Sequence, residues 1–167
     1  MSLLLRLLTM EAAKQAGLFG LKLVQAVGIF HCVQTYGFDF ATSTGASMTP
    51  TVHGEGALLW FEKVTPQTSG YQRGDVVVSK AMNGTHLVCK RVVALPGDMV
   101  SADRLNKRPI QVPEGHVWLL GDNKDNSIDS RVYGPVPMAM LQGKVRASLF
   151  PEWKLIHSRI PSDLVML

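Results

Sequence analysis

The chain is expected to be a mainly β protein, a small antiparallel barrel-like body preceded by one N-terminal anchor helix, and three observations lead there. From residue 57 onward, short runs rich in β-branched and other apolar residues are separated by turn residues. Ahead of them lies one long apolar stretch, residues 18–36, without such punctuation. The 167 residues, 46% apolar and 18% charged, suit one domain with a substantial core and leave no room for a large second one. The expected division is residues 1–36 as a targeting or membrane-anchor segment and 37–167 as the β-rich body.

Residues 18–36 are about long enough to cross a bilayer as a helix. Lys22, Gln25, His31 and Gln34 are costly at membrane depth, although Lys22 can snorkel from one end. The first 22 residues are leucine-rich and carry Arg6, Lys14 and Lys22 against the single acid Glu11, a pattern that fits a mitochondrial targeting helix as well as a charged flank. An amphipathic helix lying in the interface, or packed on the body, is the rival.

In the body, residues 57–61, 75–79, 86–95, 116–120 and 144–149 are the expected strands. Gly54-Glu55-Gly56, Ser69-Gly70, Asn83-Gly84, Pro96-Gly97-Asp98 and Pro113-Glu114-Gly115 break the runs, as turns between antiparallel strands do. Residues 138–141 read as a short helical turn before the last strand. No element is assigned after Pro151.

The formal charge of +4 is spread evenly, +2 on residues 1–36 and +2 on the rest, so the body has no concentrated basic field and nucleic acid is not an expected partner. Two cysteines, Cys32 and Cys89, do not make a disulfide framework. No metal or organic cofactor is expected either. Asp125, Ser127 and Asp129 have the one-three-five spacing of a calcium loop, but its sixth position is Ser130 where Gly is needed and its twelfth is Val136 where Glu is needed.

Two segments carry nucleophile chemistry. Ser47 lies in Gly45-Ala46-Ser47-Met48-Thr49-Pro50, where the small residues before it leave space for a peptide backbone. Lys90 lies in Leu87-Val88-Cys89-Lys90-Arg91-Val92-Val93-Ala94-Leu95, which reads as a strand. Val88, Lys90 and Val92 then share one face, and Arg91 is expected on the other with its guanidinium solvated. A serine hydroxyl becomes a useful nucleophile when a neighbouring base takes its proton, and a lysine can be that base once burial lowers its pKa. Cys89 with His86 is the competing pair, but three residues apart on a strand they fall on opposite faces.

A third segment, Gly121-Asp122-Asn123-Lys124-Asp125-Asn126-Ser127-Ile128-Asp129-Ser130-Arg131, completes a pattern: the three segments, in this order, resemble the type I signal peptidases. The resemblance covers residues 40–150 and implies that family's β-rich fold, with Ser47 as nucleophile, Lys90 as general base, Ser127 hydrogen-bonded to the lysine, and Asp129 and Arg131 bracing the site. Asp129 is left with two possible partners, Arg131 or a nearby backbone group. Some members carry a hydroxyl two residues before the nucleophile as an oxyanion donor; this chain has Gly45 there, so backbone amides, Ser47 N–H first, must hold the oxyanion. Within the family the chain is most similar to the mitochondrial inner membrane branch, and to the first of its two subunits.

The resemblance implies a membrane-anchored endopeptidase that removes presequences or sorting signals from proteins delivered to the intermembrane space. Its partners would be presequence-bearing substrates, membrane lipid and a second homologous subunit. The substrate is expected to lie extended against exposed strand edges. Alternatives are a bacterial-type enzyme, a catalytically silent anchored subunit and a self-cleaving repressor; the last lacks a recognisable DNA-binding helix pair. Asn83-Gly84-Thr85 is a glycosylation acceptor sequence, which a mitochondrial protein would leave unmodified. Met48, Trp60 and Phe61 are read as either core residues or a hydrophobic face near lipid.

Overall fold

The structure, a computed structural model, describes residues 2–101 and 109–164, with the backbone alone for residues 2–9 and 163. It separates into two compact units, Met1–Gly37 and Phe38–Leu167.

The first unit is a helix, α1 (Ser2–Cys32), which widens into a π-helical turn over Val33–Gly37. It therefore starts well before the apolar stretch at residue 18. Met10–Gly37 holds 28 residues with a mean hydropathy of 1.6 in its apolar window, long and apolar enough to cross a membrane. Leu18, Phe19, Val24, Ile29 and Phe30 are each more than half exposed within the unit. Apolar side chains lie all round the helix rather than in one stripe, which fits lipid on every side better than an interfacial helix with one greasy face.

The second unit is mainly antiparallel β. In chain order it contains β1 (Phe38–Thr42), β2 (Leu58–Glu62), a short helix α2 (Val64–Ser69), β3 (Val76–Lys80), β4 (Leu87–Ala94), β5 (Met99–Ser101), β6 (Pro109–Gln111), β7 (His116–Leu120), a one-turn helix α3 (Ser130–Tyr133), β8 (Val136–Pro137), β9 (Leu141–Phe150) and β10 (Lys154–Leu155). The main sheet runs β1-β2-β9-β3-β4-β7-β8, with β10 on β9, while β5 and β6 form a separate hairpin. β1 and β8 end the path without pairing to each other, so the sheet is an open half-barrel. All five expected strands exist, displaced by a residue or so; the last is longer than expected, starting at Leu141. The expected turn before it is a 310 turn, Met138–Met140.

Period-2 patterning places the core. Leu59, Phe61, Val76, Val78 and Val145 pack with Met48 and Val52 on one side of the sheet. Val77, Val92, Val117, Leu119 and Val136 pack on the other. Met48 and Phe61 are therefore core residues, and of the three side chains read as a lipid-facing option only Trp60 stays partly exposed. It stands near Phe38, edge-on at 6.4 Å between ring centroids, on a surface that also carries Phe40.

The C-terminal segment left without an element returns over the sheet. Ile156 joins the first cluster, and Leu164 packs with Val93, Val100 and Trp118 in a third. At Gly74, whose φ is +90°, a Cβ would lie 2.9 Å from the Ser158 carbonyl carbon, so this crossing needs glycine twice over. The cover has a consequence for Arg91. It is buried at 2% exposure, contrary to the solvated position expected from alternation, because the face it points to is roofed by this tail. Its guanidinium donates to Asp122 Oδ1 (2.8 Å) and Oδ2 (2.6 Å), to the Gly74 carbonyl (2.8 Å) and to the His157 carbonyl (3.3 Å).

Candidate active site

Ser47 sits in the middle of a 310 turn, Ala46–Met48, entered through Gly45 in extended conformation. Met48, 2% exposed, plugs the turn into the core, so its neighbour Ser47 is held at the rim. Two further ties hold the turn: Asn123 N–H donates to the Ser47 carbonyl at 3.0 Å, and Asn123 Nδ2 donates to the Ala46 carbonyl (3.2 Å) and Thr49 Oγ1 (3.0 Å).

Strand β4 delivers Lys90 to this turn. It pairs Lys90 with Val77 on β3, and Lys90 Nζ lies 2.7 Å from Ser47 Oγ. Lys90 is 4% exposed, and burial pushes its pKa below the ordinary lysine value; the carboxylates of Asp129 and Asp122 oppose that shift without reversing it. The two residues read as nucleophile and base, 43 apart in sequence, are thus in hydrogen-bond contact.

The third segment folds round them. Gly121 ends β7, and it must be glycine: a Cβ there would meet Ser127 Oγ at 2.2 Å and the Ser47 carbonyl oxygen at 2.6 Å. Ser127 stands at the same point but does not hydrogen-bond the lysine as expected. Its hydroxyl donates to Asp129 Oδ2 at 2.7 Å instead, because that buried carboxylate is the stronger acceptor within reach.

Both partners left open for Asp129 are used. It is fully buried, accepts from the Gly121 N–H (2.9 Å) and from Arg131 Nε and Nη2 (2.8 Å each), and caps α3 through the Arg131 N–H. Burial works against its charge, but these donors outweigh it and hold the carboxyl below the usual aspartate value. Arg131 in turn donates to the Lys124 carbonyl at 2.9 Å, closing the loop. Asp129 and Arg131 touch neither Ser47 nor Lys90; Asp129 instead holds Ser127 and Gly121, which border them.

Asp122 and Asn123, to which the motif itself assigns no role, connect the three segments. Asp122 grips Arg91, the residue after Lys90, while Asn123 grips the turn of Ser47. Their signal was their position directly after the apolar strand that Gly121 ends. Among the described residues no group of His, Cys, Asp and Glu side chains could hold a metal ion.

A cleft of about 170 Å3 opens beside Ser47, between residues 41–45 and residues 86–90, with Leu59, Val78 and Cys89 among its walls. Cys89 is no rival nucleophile there: burial raises its thiol to about 12, and the His86 ring nitrogen lies against the Thr85 hydroxyl at 2.9 Å.

The chain matches the family model described as signal peptidase, peptidase S26, over residues 18–108 and 101–150. It is 38% identical over 141 residues to the mitochondrial inner membrane protease subunit 1 of Schizosaccharomyces pombe, covering 81% of this chain and 90% of that one. It is 37% identical over 127 residues to the protein of that name from Homo sapiens, covering 74% and 76%. The mitochondrial inner membrane protease subunit 2 of Danio rerio is more distant, 30% identical over 126 residues, covering 71% and 69%.

Proposed function

The chain belongs to the signal peptidase family, peptidase S26, and from that premise we propose that Ser47 and Lys90 are its nucleophile and general base. It is a membrane-anchored presequence-processing peptidase of the mitochondrial inner membrane type, so the bacterial-type and silent-subunit alternatives are not favoured. The observation that carries the dyad is the 2.7 Å contact between Ser47 Oγ and the buried Lys90 amine.

Neutral Lys90 accepts the Ser47 proton as Oγ attacks the scissile carbonyl. The oxyanion rests on backbone amides at the start of the 310 turn, Ser47 N–H first, since the first N–H groups of a helical turn lack intrahelical acceptors. Protonated Lys90 then returns the proton to the leaving amine, and the C–N bond breaks. In the second half, neutral Lys90 takes a proton from water as the water oxygen attacks the ester, then passes it to Ser47 Oγ as the ester C–O bond breaks and the acyl fragment leaves as its acid. Ser127, Asp129 and Arg131 position these groups; Gly45 leaves the substrate backbone room. A purified chain, with a partner subunit if one is required, should cut a presequence peptide at one bond. Ser47→Ala should leave no cleavage above background, and a fully active Ser47→Ala would refute the dyad.

Relatives named as subunits 1 and 2 point to a multi-subunit complex, so a homologous second subunit is the expected partner, along with presequence-bearing substrates and lipid. The catalytic unit faces the intermembrane space. Asn83 lies in an exposed turn with its side chain accepting from Thr85, an accessible sequon that would be open to the transferase in a secretory compartment and does not meet it in the intermembrane space. The expected protein is unglycosylated, resists carbonate extraction and becomes protease-sensitive once the outer membrane is ruptured. A glycan on Asn83, or protection after rupture, would contradict this orientation.

A further inference from the structure

A second cleft, about 350 Å3 and thus about twice the volume of the one beside Ser47, opens on the other face of β4. Buried Leu119 and Val136 and half-buried Val88 and Tyr133 line it, and Ile128 and Met82 stand at its rim, 74% and 48% exposed. Val88 and His86 border both clefts. Ile128 directly follows Ser127, whose hydroxyl and the Ser47 carbonyl oxygen both crowd the α-carbon of Gly121.

The strand between the clefts has an open edge. Leu87 to Lys90 pair with β3 on one side, from Lys80↔Leu87 to Val77↔Lys90, whereas β7 joins the other side only from Arg91 onward. An extended peptide can add to that edge by main-chain hydrogen bonds. Successive side chains of such a peptide point to opposite faces. If one substrate residue enters the cleft on the Cys89 side, its neighbours in the chain turn towards the Val88 side, where the walls are mostly apolar, with Ser79, Lys80, Asn83 and His86 as the polar members, and the exposed rim side chains have surface to cover.

We propose that this cleft is a second side-chain subsite, taking a bulky apolar side chain from a substrate residue next to the one seated beside Ser47. The assignment rests on the Ser47–Lys90 site proposed above. Selectivity then arises at two adjacent substrate positions of opposite parity: a restricted one in the 170 Å3 cleft and an apolar one in the 350 Å3 cleft.

The test uses the full chain in detergent, with its partner subunit if needed, and peptides spanning a bond that it cleaves. Each of the two positions flanking the seated residue is set in turn to Ala or Leu. At one of them the wild type should prefer Leu by roughly tenfold in kcat/KM. In the double variant Ile128→Ser, Met82→Ser that preference should fall to about twofold or less, with turnover of the Ala peptide retained. A wild type indifferent at both positions, or a preference unchanged in the double variant while Ser47→Ala is inactive, would overturn the subsite alone. Cleavage persisting in Ser47→Ala would overturn the Ser47 site and the subsite with it.

Discussion

Lys90→Arg should be as inactive as Lys90→Ala, each keeping less than about one part in a hundred of the wild-type rate, the loss expected of a missing general base. Arginine preserves length and charge but does not deprotonate in a protein, so it cannot accept the Ser47 proton. The wild-type kcat/KM should fall in acid as Lys90 becomes protonated, along a limb centred below the ordinary lysine value of 10.5. The same depressed pKa has a stability counterpart. Burial favours the neutral amine in the folded state, so the stability linked to Lys90 is fully present above its unfolded pKa. It is lost as pH falls through the folded value. Lys90→Met should therefore melt higher than the wild type at neutral pH, with the difference narrowing as pH rises towards about 10.5 and smallest above it. Measurable turnover in Lys90→Arg, or a Lys90→Met that melts lower at neutral pH, would count against a buried neutral base.

The largest loss of stability should come from Asp122→Ala. Arg91 and Asp122 form a bidentate pair whose side chains are 2% and 1% exposed, and removing one partner of such a pair costs about 3–5 kcal/mol because the other charge stays buried alone. At about 2–4 °C per kcal/mol for a chain of this size, thermal unfolding in detergent should shift down by roughly 10 °C. The double variant Arg91→Met, Asp122→Leu, which removes both charges, should recover most of that loss. If Asp122→Ala melts within about 2 °C of the wild type, the pair is not what fastens β4 to the Gly121 segment.

The patterns that were legible in the sequence were those set by local chemistry. Apolar runs broken by turn residues placed the five principal strands from residue 57 onward, and the small residues before Ser47 marked a turn that a peptide can approach. The face of Lys90 also followed from alternation, since Val88 and Val92 share its side. Arg91 was misjudged for a physical reason: β4 is covered on both faces, and residues 90–94 are buried in an unbroken row, so pointing away from Lys90 did not mean pointing into water. The cover comes from residues 156–164, a segment with no periodicity of its own. β1 went unread because its outward side carries Phe38 and Phe40, so apolar residues there do not distinguish core from surface. Ser127 was assigned to Lys90 by resemblance, whereas its hydroxyl is taken by Asp129, two residues away and ionised.

The claim that Ser47 forms the covalent intermediate is tested most directly by mass spectrometry of the enzyme after a rapid acid quench with a cleavable presequence peptide. Acid protonates Lys90 and so halts the hydrolysis of an ester that has already formed. The expected result is the mass of the N-terminal peptide fragment added to a tryptic peptide containing Ser47, absent from both Ser47→Ala and Lys90→Arg. The same adduct on Cys89 or Ser127, or efficient cleavage with an adduct that survives in Ser47→Ala, would contradict it.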